Sequence, residues 1–374
     1  MALLNRLQSD GPKRILALDG GGIRGAITIG YLEKIQTLLR ERYNNPHLVL
    51  SDYFDLIGGT STGSIIAGGL AIGMDVSDIK ALYLKLGDKI FGAKRGLFQR
   101  LSAKFKIEAL EKELEKIFQD MTLDSDKIKT GICIVTKRAD TGSTWPLINH
   151  PGGKYFEYNK DILLRKAIRA STAAPTYFQP EAFDVGGGQI GAFVDGGVSM
   201  HNNPALQLFL LATLKGFPYH WNTGDENMLL TSIGTGFWST RKTIEEVTDN
   251  KLWDWASDVI NMLMGDAKDM NQLLLQYLSK SPTAVSIDSE IGDLGNDVLN
   301  GKPALHYLRY DSQLEDENLK NLGVTGIKAV DLREMSASEN CAILMDIGAR
   351  SANIEVLESH FPAAFDLKPE KLVS

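Results

Sequence analysis

Residues 14–25 read RILALDGGGIRG, and this stretch decides the fold prediction for the chain of 374 residues. Arg14–Leu18 is a short, mostly apolar run that favours a buried strand. The run passes directly into Asp19 and three glycines, and from about Gly25 onward apolar residues recur at the spacing of a helix. A strand that turns sharply into a helix is the repeating unit of parallel α/β sheets.

The same unit is predicted a second time further along the chain. A strand near Phe54–Ile57 is followed by GGTSTG at residues 58–63 and by a small, apolar run over Ser64–Ala71 that indicates a buried helix. We therefore expect the α/β class, with three layers (α/β/α) in which helices cover both faces of a mostly parallel central sheet. The other predicted elements are strands at Gly131–Thr136, Ile190–Val194, Met228–Ile233 and Tyr307–Tyr310 and helices near Ile107–Ile117, Asp161–Ala170, Pro204–Leu214 and Leu252–Leu278.

Composition and charge exclude several classes of protein. The chain has 40 Lys plus Arg against 47 Asp plus Glu, a net charge of −7, which argues against a nucleic-acid partner. Its two cysteines are too few for a disulfide framework or a zinc–thiolate cluster. The most apolar window, Ala205–Leu214, is about half as long as a membrane span, and the N-terminus lacks the apolar core of a signal peptide. We therefore expect a cytoplasmic protein that is soluble or peripheral at a membrane.

Residues 59–63, GTSTG, fit the G-x-S-x-G pattern of a nucleophile elbow. Gly59 and Gly63 allow the tight turn that pushes the hydroxyl of Ser61 out of the sheet edge. The helix that follows places its N-terminal dipole where negative charge develops on a reacting ester. Glycine-rich turns are common, but the flanking strand and helix favour a catalytic serine.

The glycine-rich stretch Asp19–Gly25 also contains G-x-G-x-x-G, the pattern of a dinucleotide-binding loop, at Gly20, Gly22 and Gly25. That function needs an acidic residue near position 45, where the chain reads YNNP instead. A P-loop is excluded because no Gly-Lys-Ser/Thr closes the stretch. Two interpretations stay open, a loop whose N–H groups bind an oxyanion and a simple tight turn. No cofactor or metal is expected, since the chain also lacks a cluster of metal ligands.

A serine nucleophile needs a group that accepts its proton. None of the six histidines lies in a sequence context that marks it as this base. Asp195 follows a predicted strand, in FVDGG at residues 193–197, and ligands bind at strand ends in open α/β sheets. Because Asp-Gly is also a frequent hairpin turn, a structural role for Asp195 stays open at this point.

Together and in this order, the three motifs resemble those of the patatin-like phospholipases. That family carries D-G-G-G-x-R-G, G-x-S-x-G and D-G-A/G motifs, matched here by Asp19–Gly25, Gly59–Gly63 and Asp195–Gly197. The resemblance covers about Lys13 to Gly236 and implies a patatin-like fold. Three further segments are similar to the family's, namely ASTAAPTYF at 170–178, NNPA at 202–205 and SIGTG at 232–236.

The resemblance implies a lipid acyl hydrolase of phospholipase A, lysophospholipase or esterase type, which cleaves carboxylic esters in lipid catabolism or remodelling. By this resemblance Ser61 is the nucleophile and Asp195 the proton acceptor of a dyad without histidine. Backbone N–H groups of Gly21 and Gly22 would bind the oxyanion. The oxyanion loop is completed by Gly20 and Arg24, and the other motif glycines are Gly25, Gly59, Gly63, Gly196 and Gly197.

The reach of these motifs also suggests how the chain is divided. We expect residues 13–210 to form the patatin-like catalytic core. Residues 211–374 are expected to be a C-terminal extension packed on the same core, without a separate function, because no linker of Pro and Ser detaches them.

Two alternatives to the dyad are kept. A non-catalytic domain would bind an anion or a nucleotide on its Gly20–Gly25 loop, but it leaves Ser61 and Asp195 without a purpose. An α/β-hydrolase triad would need serine, acid and histidine in that order, although Ser61 comes early in the chain for that fold. The histidines that satisfy this order are His220, His306 and His360.

Lys94–Lys106 contains five basic residues and no acid. Leu97, Leu101 and Phe105 lie at i, i+4 and i+8, so a helix here would be basic and amphipathic. Such a helix could dock on an anionic membrane, but a solvated charged face over ordinary core contacts is the favoured interpretation. The Trp and Met residues within 253–264 are more typical of a core than of lipid contact.

Overall fold

The computed structural model describes residues 2–87, 99–175, 177–239, 243–249 and 251–368, and within them nine strands form one sheet. The strands are β1 (Lys13–Leu18), β2 (Leu56–Thr60), β3 (Gly131–Arg138), β4 (Ser143–Ile148), β5 (Glu181–Asp184), β6 (Ile190–Asp195), β7 (Met228–Ile233), β8 (Ser279–Lys280) and β9 (Leu305–Tyr310). The helices are α1 (Ala2–Gln8), α2 (Gly25–Tyr43), α3 (Leu50–Tyr53), α4 (Thr62–Ala71), α5 (Val76–Leu86), α6 (Gln99–Phe118), α7 (Phe156–Asn159), α8 (Leu164–Ser171), α9 (Ala205–Thr213), α10 (Ile244–Thr248), α11 (Leu252–Tyr277), α12 (Asp316–Asn321) and α13 (Cys341–Glu355).

The sheet is mixed but mostly parallel. Its order is β5-β6-β3-β2-β1-β7-β9-β8, and β4 also pairs with β3. Strands β3, β2, β1, β7, β9 and β8 run in one direction, whereas β4 and β6 are antiparallel to β3. Residues 211–374 contribute β7, β8 and β9 to this sheet. The predicted α/β class with a mostly parallel central sheet is confirmed.

The central strand β1 is buried on both faces, which explains the three layers. Leu16 and Leu18 belong to an apolar cluster that includes residues of α2 and α13. Ile15 and Ala17 belong to a second cluster, which includes residues of α9. Because successive side chains of a strand point to opposite faces, helices cover the sheet on both sides.

Strand β2 begins later than the sequence predicts and includes Gly58 and Gly59, which the sequence places in a turn. A Cβ at Gly58 would lie 2.6 Å from a side-chain carbon of Leu208 on α9, so a larger residue there would force Leu208 to shift. The hairpin strands β4 and β5 were not predicted, because their partly exposed residues show no clear apolar alternation.

Two expectations about lipid contact have different outcomes. Of the basic segment Lys94–Lys106, residues 94–98 lie outside the described residues, and only the backbone is described for 99–106. The expectation of a core position for the Trp and Met residues of 253–264 is wrong for Trp255, Met262 and Met264, which are exposed. The reason is that α11 is buried through its second half, at Asn271 and Leu275. The side chain of Trp253, the remaining residue of that set, lies outside the described part of the chain. No helix of the described part of the chain is long and apolar enough to cross a membrane.

Candidate active site

The carboxyl ends of β2 and β6 meet on one edge of β3, because β4 occupies the other edge. Strand β2 is parallel to β3 and ends with Thr60 opposite Val135. Strand β6 is antiparallel and ends with Asp195 opposite Thr136. Since Val135 and Thr136 are adjacent, β2 and β6 approach each other head to head, and the residues at their ends come together.

This arrangement corrects the reason for expecting Asp195 at the site. The sequence argument treats β6 as a further parallel strand, whose carboxyl end lies where ligands bind. Strand β6 is instead antiparallel, and it starts beyond the carboxyl end of β3 and overlaps β3 only from Arg138 back to Thr136. Asp195 therefore reaches the expected edge from the opposite direction.

Ser61 is the single residue between the end of β2 and the start of α4. Its backbone has φ 53° and ψ −126°, which a residue with a side chain rarely adopts, so the turn is strained. A Cβ at Gly59 would lie well inside 3.0 Å of the carbonyl O of Gly63, and one at Gly63 would meet the carbonyl O of Leu18 equally closely. Only glycine fits at these two positions, as the sharp turn predicted for residues 59–63 requires.

We expect Gly63→Ala to destabilise the protein by about 1–3 kcal/mol, because the added methyl group would enter a backbone contact between α4 and β1. The matched control is Gly216→Ala, where an added Cβ has no heavy atom within 4 Å and the expected change is within about 0.5 kcal/mol. Urea denaturation measures both. Equal stability of the two variants would contradict the close contact at Gly63.

Asp195 accepts hydrogen bonds with both carboxylate oxygens. Ser61 Oγ donates to Oδ2 at 2.6 Å, and the N–H of Gly197 donates to Oδ1 at 2.7 Å. Burial raises the pKa of Asp195 to about 6, although both hydrogen bonds act to lower it. A carboxylate with this pKa is ionised at neutral pH and is a better proton acceptor than an exposed one.

Further hydrogen bonds fix the backbone around Ser61. The N–H of Ser61 donates to Ser171 Oγ at 2.8 Å, and this hydroxyl donates to the carbonyl O of Val135 at 2.7 Å. Thr60 Oγ1 donates to the carbonyl O of His201 at 2.7 Å. Ser171 belongs to the segment 170–178, which was singled out only because it is similar to a segment of the family. This segment therefore supports the turn at Ser61.

The glycine-rich loop after β1 lies directly against Ser61. A Cβ at Gly20 would be 3.1 Å from the Cβ of Ser61. The N–H of Gly20 donates to the carbonyl O of Asn202 at 3.1 Å, so Gly20 shapes the loop and its N–H is not available to an oxyanion. Within the described ranges, the N–H groups of Gly21 and Gly22 have no hydrogen-bond partner, which an oxyanion site requires.

Arg24 helps to hold this loop in place. Its Nε donates to the carbonyl O of Gly21 at 3.4 Å, and its guanidinium lies 4.8 Å from the ring centre of Trp238. Burial lowers the pKa of Arg24 to about 10, so the side chain stays a cation at neutral pH. The hydroxyl of Tyr83 donates to the carbonyl O of Gly22. These contacts give Arg24 the role of a positioning residue.

The remaining motif glycines lie where another element passes close. Gly25 begins α2, and a Cβ there would meet the hydroxyl of Tyr83 well inside 3.0 Å. A Cβ at Gly196 would meet the carbonyl O of Val135 equally closely. Gly197 supplies the N–H that binds Asp195. Every motif residue predicted from the sequence thus lies in or beside the same turn–loop assembly.

Arg309, near the end of β9, is a residue of the site that the sequence argument missed. Its guanidinium binds both carboxylate oxygens of Asp19, at 2.9 Å and 2.7 Å, and donates to Asp311 at 2.8 Å and to Ser232 Oγ at 2.8 Å. Asp311 in turn accepts from the N–H of Gly236 at 2.7 Å. Burial acts to lower the pKa of Arg309, but the two carboxylates hold it well above its ordinary value. The buried ion pair ties the start of the glycine-rich loop to the C-terminal part of the sheet.

The histidines of the alternative triad lie elsewhere. His220 is within hydrogen-bond distance of the carbonyl O of Lys215. His306 contacts the carbonyl O of His360, and the ring of His360 is 2.9 Å from the hydroxyl of Tyr310. No histidine of the described ranges hydrogen-bonds to the Ser61–Asp195 pair. The geometry therefore favours the dyad over the triad.

The alternative of a nucleotide loop is also disfavoured by the geometry. The carboxylate of Asp19 is occupied by Arg309, and the loop is packed against the strained serine. Among the described residues, no group of three or more His, Cys, Asp or Glu is placed to hold a metal ion.

Ser61 is hydrogen-bonded to a buried carboxylate and lies beside a loop with unpaired N–H groups. Such a site at the edge of an α/β sheet is suited to acyl transfer. A family model for patatin-like phospholipases matches residues 16–209. The chain belongs to the patatin-like phospholipase family, whose members are lipid acyl hydrolases. The family resemblance carried by the three motifs is confirmed.

Three relatives illustrate the range of this similarity. Patatin-T5 from Solanum tuberosum is 25% identical over 348 residues, which are 87% of this chain and 85% of that protein. The cUMP-AMP-activated phospholipase of Escherichia coli is 28% identical over 80% of this chain and 88% of its own length. The cGAMP-activated phospholipase of Escherichia coli strain TW11681 is 30% identical over 59% of this chain and 62% of its own length.

Proposed function

We propose that this protein hydrolyses carboxylic esters of lipids through an acyl-enzyme on Ser61, with Asp195 as the general base. The observation that carries the proposal is the 2.6 Å hydrogen bond from Ser61 Oγ to the buried carboxylate of Asp195. Serine is a weak nucleophile, and a carboxylate at this distance can accept its proton during attack. Residues 13–210 would supply both groups, with residues 211–374 as an extension without separate chemistry.

The first half of the reaction forms the acyl-enzyme. Ser61 Oγ attacks the ester carbonyl carbon while its proton passes to Asp195 Oδ2. The carbonyl oxygen becomes an oxyanion, for which the N–H groups of Gly21 and Gly22 are the proposed donors. When the tetrahedral intermediate collapses, the bond to the alkoxy oxygen breaks, and Asp195 gives the proton to the departing alcohol.

The second half regenerates the enzyme. A water molecule attacks the acyl carbon and transfers a proton to Asp195, and the bond between the acyl carbon and Ser61 Oγ breaks. Asp195 returns the proton to Ser61 Oγ, and the fatty acid leaves. The same carboxylate therefore acts twice as base and twice as acid.

Product profiling tests this function and narrows the substrate. Phospholipids, lysophospholipids, acylglycerols and short p-nitrophenyl esters would be incubated with wild type and Ser61→Ala, in the presence of a chelator. We expect release of free fatty acid or p-nitrophenol by the wild type alone. Because two relatives are named for activation by cyclic nucleotides, each reaction would be run with and without cGAMP and cUMP-AMP. Equal release by wild type and Ser61→Ala would refute the proposal.

We expect the rate on a soluble ester to fall about tenfold per pH unit below about pH 6 and to level off above it. The reason is that only ionised Asp195 accepts the serine proton, and burial raises its pKa to about 6. Initial rates between about pH 5 and 8 measure this, with circular dichroism at each pH to exclude unfolding. A flat profile for a folded enzyme would contradict the role of Asp195 as base.

A further inference from the structure

The first half of α11 carries large apolar side chains at the surface. Their exposed fractions range from 39% to 63%. Soluble proteins rarely leave several such side chains together in water, and a cluster of this kind marks a contact with another surface. We call these residues the apolar rim; they are Trp255, Val259, Met262, Leu263 and Met264.

The apolar rim is not confined to one face of the helix. At about 100° per residue, Met262 and Met264 lie on nearly opposite sides of α11. Both are exposed, so α11 presents apolar side chains to the surface on two of its sides here.

The second half of α11 is hydrogen-bonded to the loop that follows the proposed base, Asp195. Asn271 Nδ2 donates to the carbonyl O of Met200 at 2.7 Å. Met200 lies five residues after Asp195, and its side chain and that of Val198 are themselves exposed. Asn271 therefore ties the second half of α11 to the loop that also exposes Val198 and Met200.

We infer that the apolar rim, together with Val198 and Met200, is the surface on which this enzyme docks to a layer of zwitterionic phospholipid. The inference rests on the proposed function, since a lipid layer in contact with the loop after Asp195 brings ester groups close to Ser61. Methionine suits such a contact, because its flexible thioether adapts to a fluid surface.

The charge of α11 selects the kind of lipid. The helix contains four aspartates and one lysine, so its net charge is negative. Anionic headgroups would be repelled, whereas a zwitterionic layer carries no net charge. Docking is therefore expected to depend on apolar burial and to change little between low and high salt. Salt dependence therefore distinguishes docking through the apolar rim from docking through the basic segment Lys94–Lys106, which would need anionic lipid and would weaken as salt rises.

Vesicle sedimentation tests the inference without any need for catalysis. Ser61→Ala protein, which leaves the lipid intact, would be spun with phosphatidylcholine vesicles at low and high salt. Adding Met262→Glu and Leu263→Glu should reduce the vesicle partition coefficient by at least about tenfold, because two apolar side chains are replaced by charges. The matched control is Ile354→Glu with Leu357→Glu, which should bind as before; the two residues have similar exposure, and Ile354 lies in the last turn of α13 and Leu357 just after it.

Several outcomes would overturn the inference. These are unchanged binding of the Met262/Leu263 variant, an equal loss in the Ile354/Leu357 control, and binding that requires anionic vesicles and disappears at high salt. Light scattering gives another: if the wild type is a dimer and the Met262/Leu263 variant a monomer with unchanged vesicle binding, the rim contacts a second copy. Failure of the proposed function would show separately, as absence of soluble-ester hydrolysis in a wild type that still sediments.

Discussion

Ser61→Ala and Asp195→Asn are each expected to lower kcat/KM for a short p-nitrophenyl ester by at least about 10³-fold, because each removes one half of a unit that acts together. The Ser61→Ala variant has no atom to form the acyl-enzyme. The Asp195→Asn variant keeps the shape of the side chain but cannot accept the proton of Ser61. Combining the two substitutions should cost little more than the worse single one, since groups acting as a unit are not additive.

Circular dichroism and thermal melts would show that both variants remain folded. Substitution of His220, His306 and His360 is the matched control, because none of the described histidines hydrogen-bonds to Ser61 Oγ or the carboxylate of Asp195. Replacing His220, His306 or His360 singly by Gln should change the rate by far less than the dyad substitutions. If a histidine variant were folded but had no turnover, the dyad mechanism would be wrong and a triad would be indicated.

Arg309→Met is expected to lower the free energy of unfolding by about 3–5 kcal/mol, because it leaves the carboxylates of Asp19 and Asp311 buried without their cation. The glycine-rich loop begins at Asp19, so we also expect ester hydrolysis to fall in whatever fraction stays folded. Denaturant titration and rates on a soluble ester measure the two effects.

Arg350→Met provides the comparison for Arg309. Arg350 pairs with Asp346 on the exposed side of α13, and loss of such a surface pair costs about 0.3–0.5 kcal/mol. The triple variant Arg309→Met, Asp19→Asn, Asp311→Asn should recover part of the lost stability, since it removes the orphaned charges as well. If Arg309→Met were no more destabilising than Arg350→Met, the buried ion pair would not hold the loop.

Local sequence patterns were sufficient for much of the fold. Strand β1 was predicted because it is a short apolar run, and α2 because its apolar residues recur at helical spacing. Strand β2 was misplaced because Gly58 and Gly59 are read as turn formers, whereas both residues pair with β1 on one side and β3 on the other. Tertiary contact outweighed local propensity there.

Within the site, the motifs identified Ser61 and Asp195 but not the reason they meet. Chain order alone cannot show that β6 is antiparallel, because the direction of a strand depends on its pairing partner. Arg309 is 290 positions from Asp19, and their contact depends on the register of β1, β7 and β9. The sequence feature that could have indicated this ion pair is the two charges in RYD at residues 309–311, at the end of a mostly apolar strand.

Because β2 and β6 end head to head on the same edge of β3, their pairing with β3 determines the distance between Ser61 and Asp195. Ser61 and Asp195 are 134 positions apart in the chain, yet neighbouring residues of β3 determine where each strand stops. A residue inserted within β6 would move Asp195 by about 3.3 Å and turn its side chain to the other face of the sheet. Insertions in connecting segments that contact neither the ladder nor the turn at Ser61 are expected to leave the 2.6 Å distance unchanged. Such a protein can therefore vary widely in loop length while the reacting atoms stay in register.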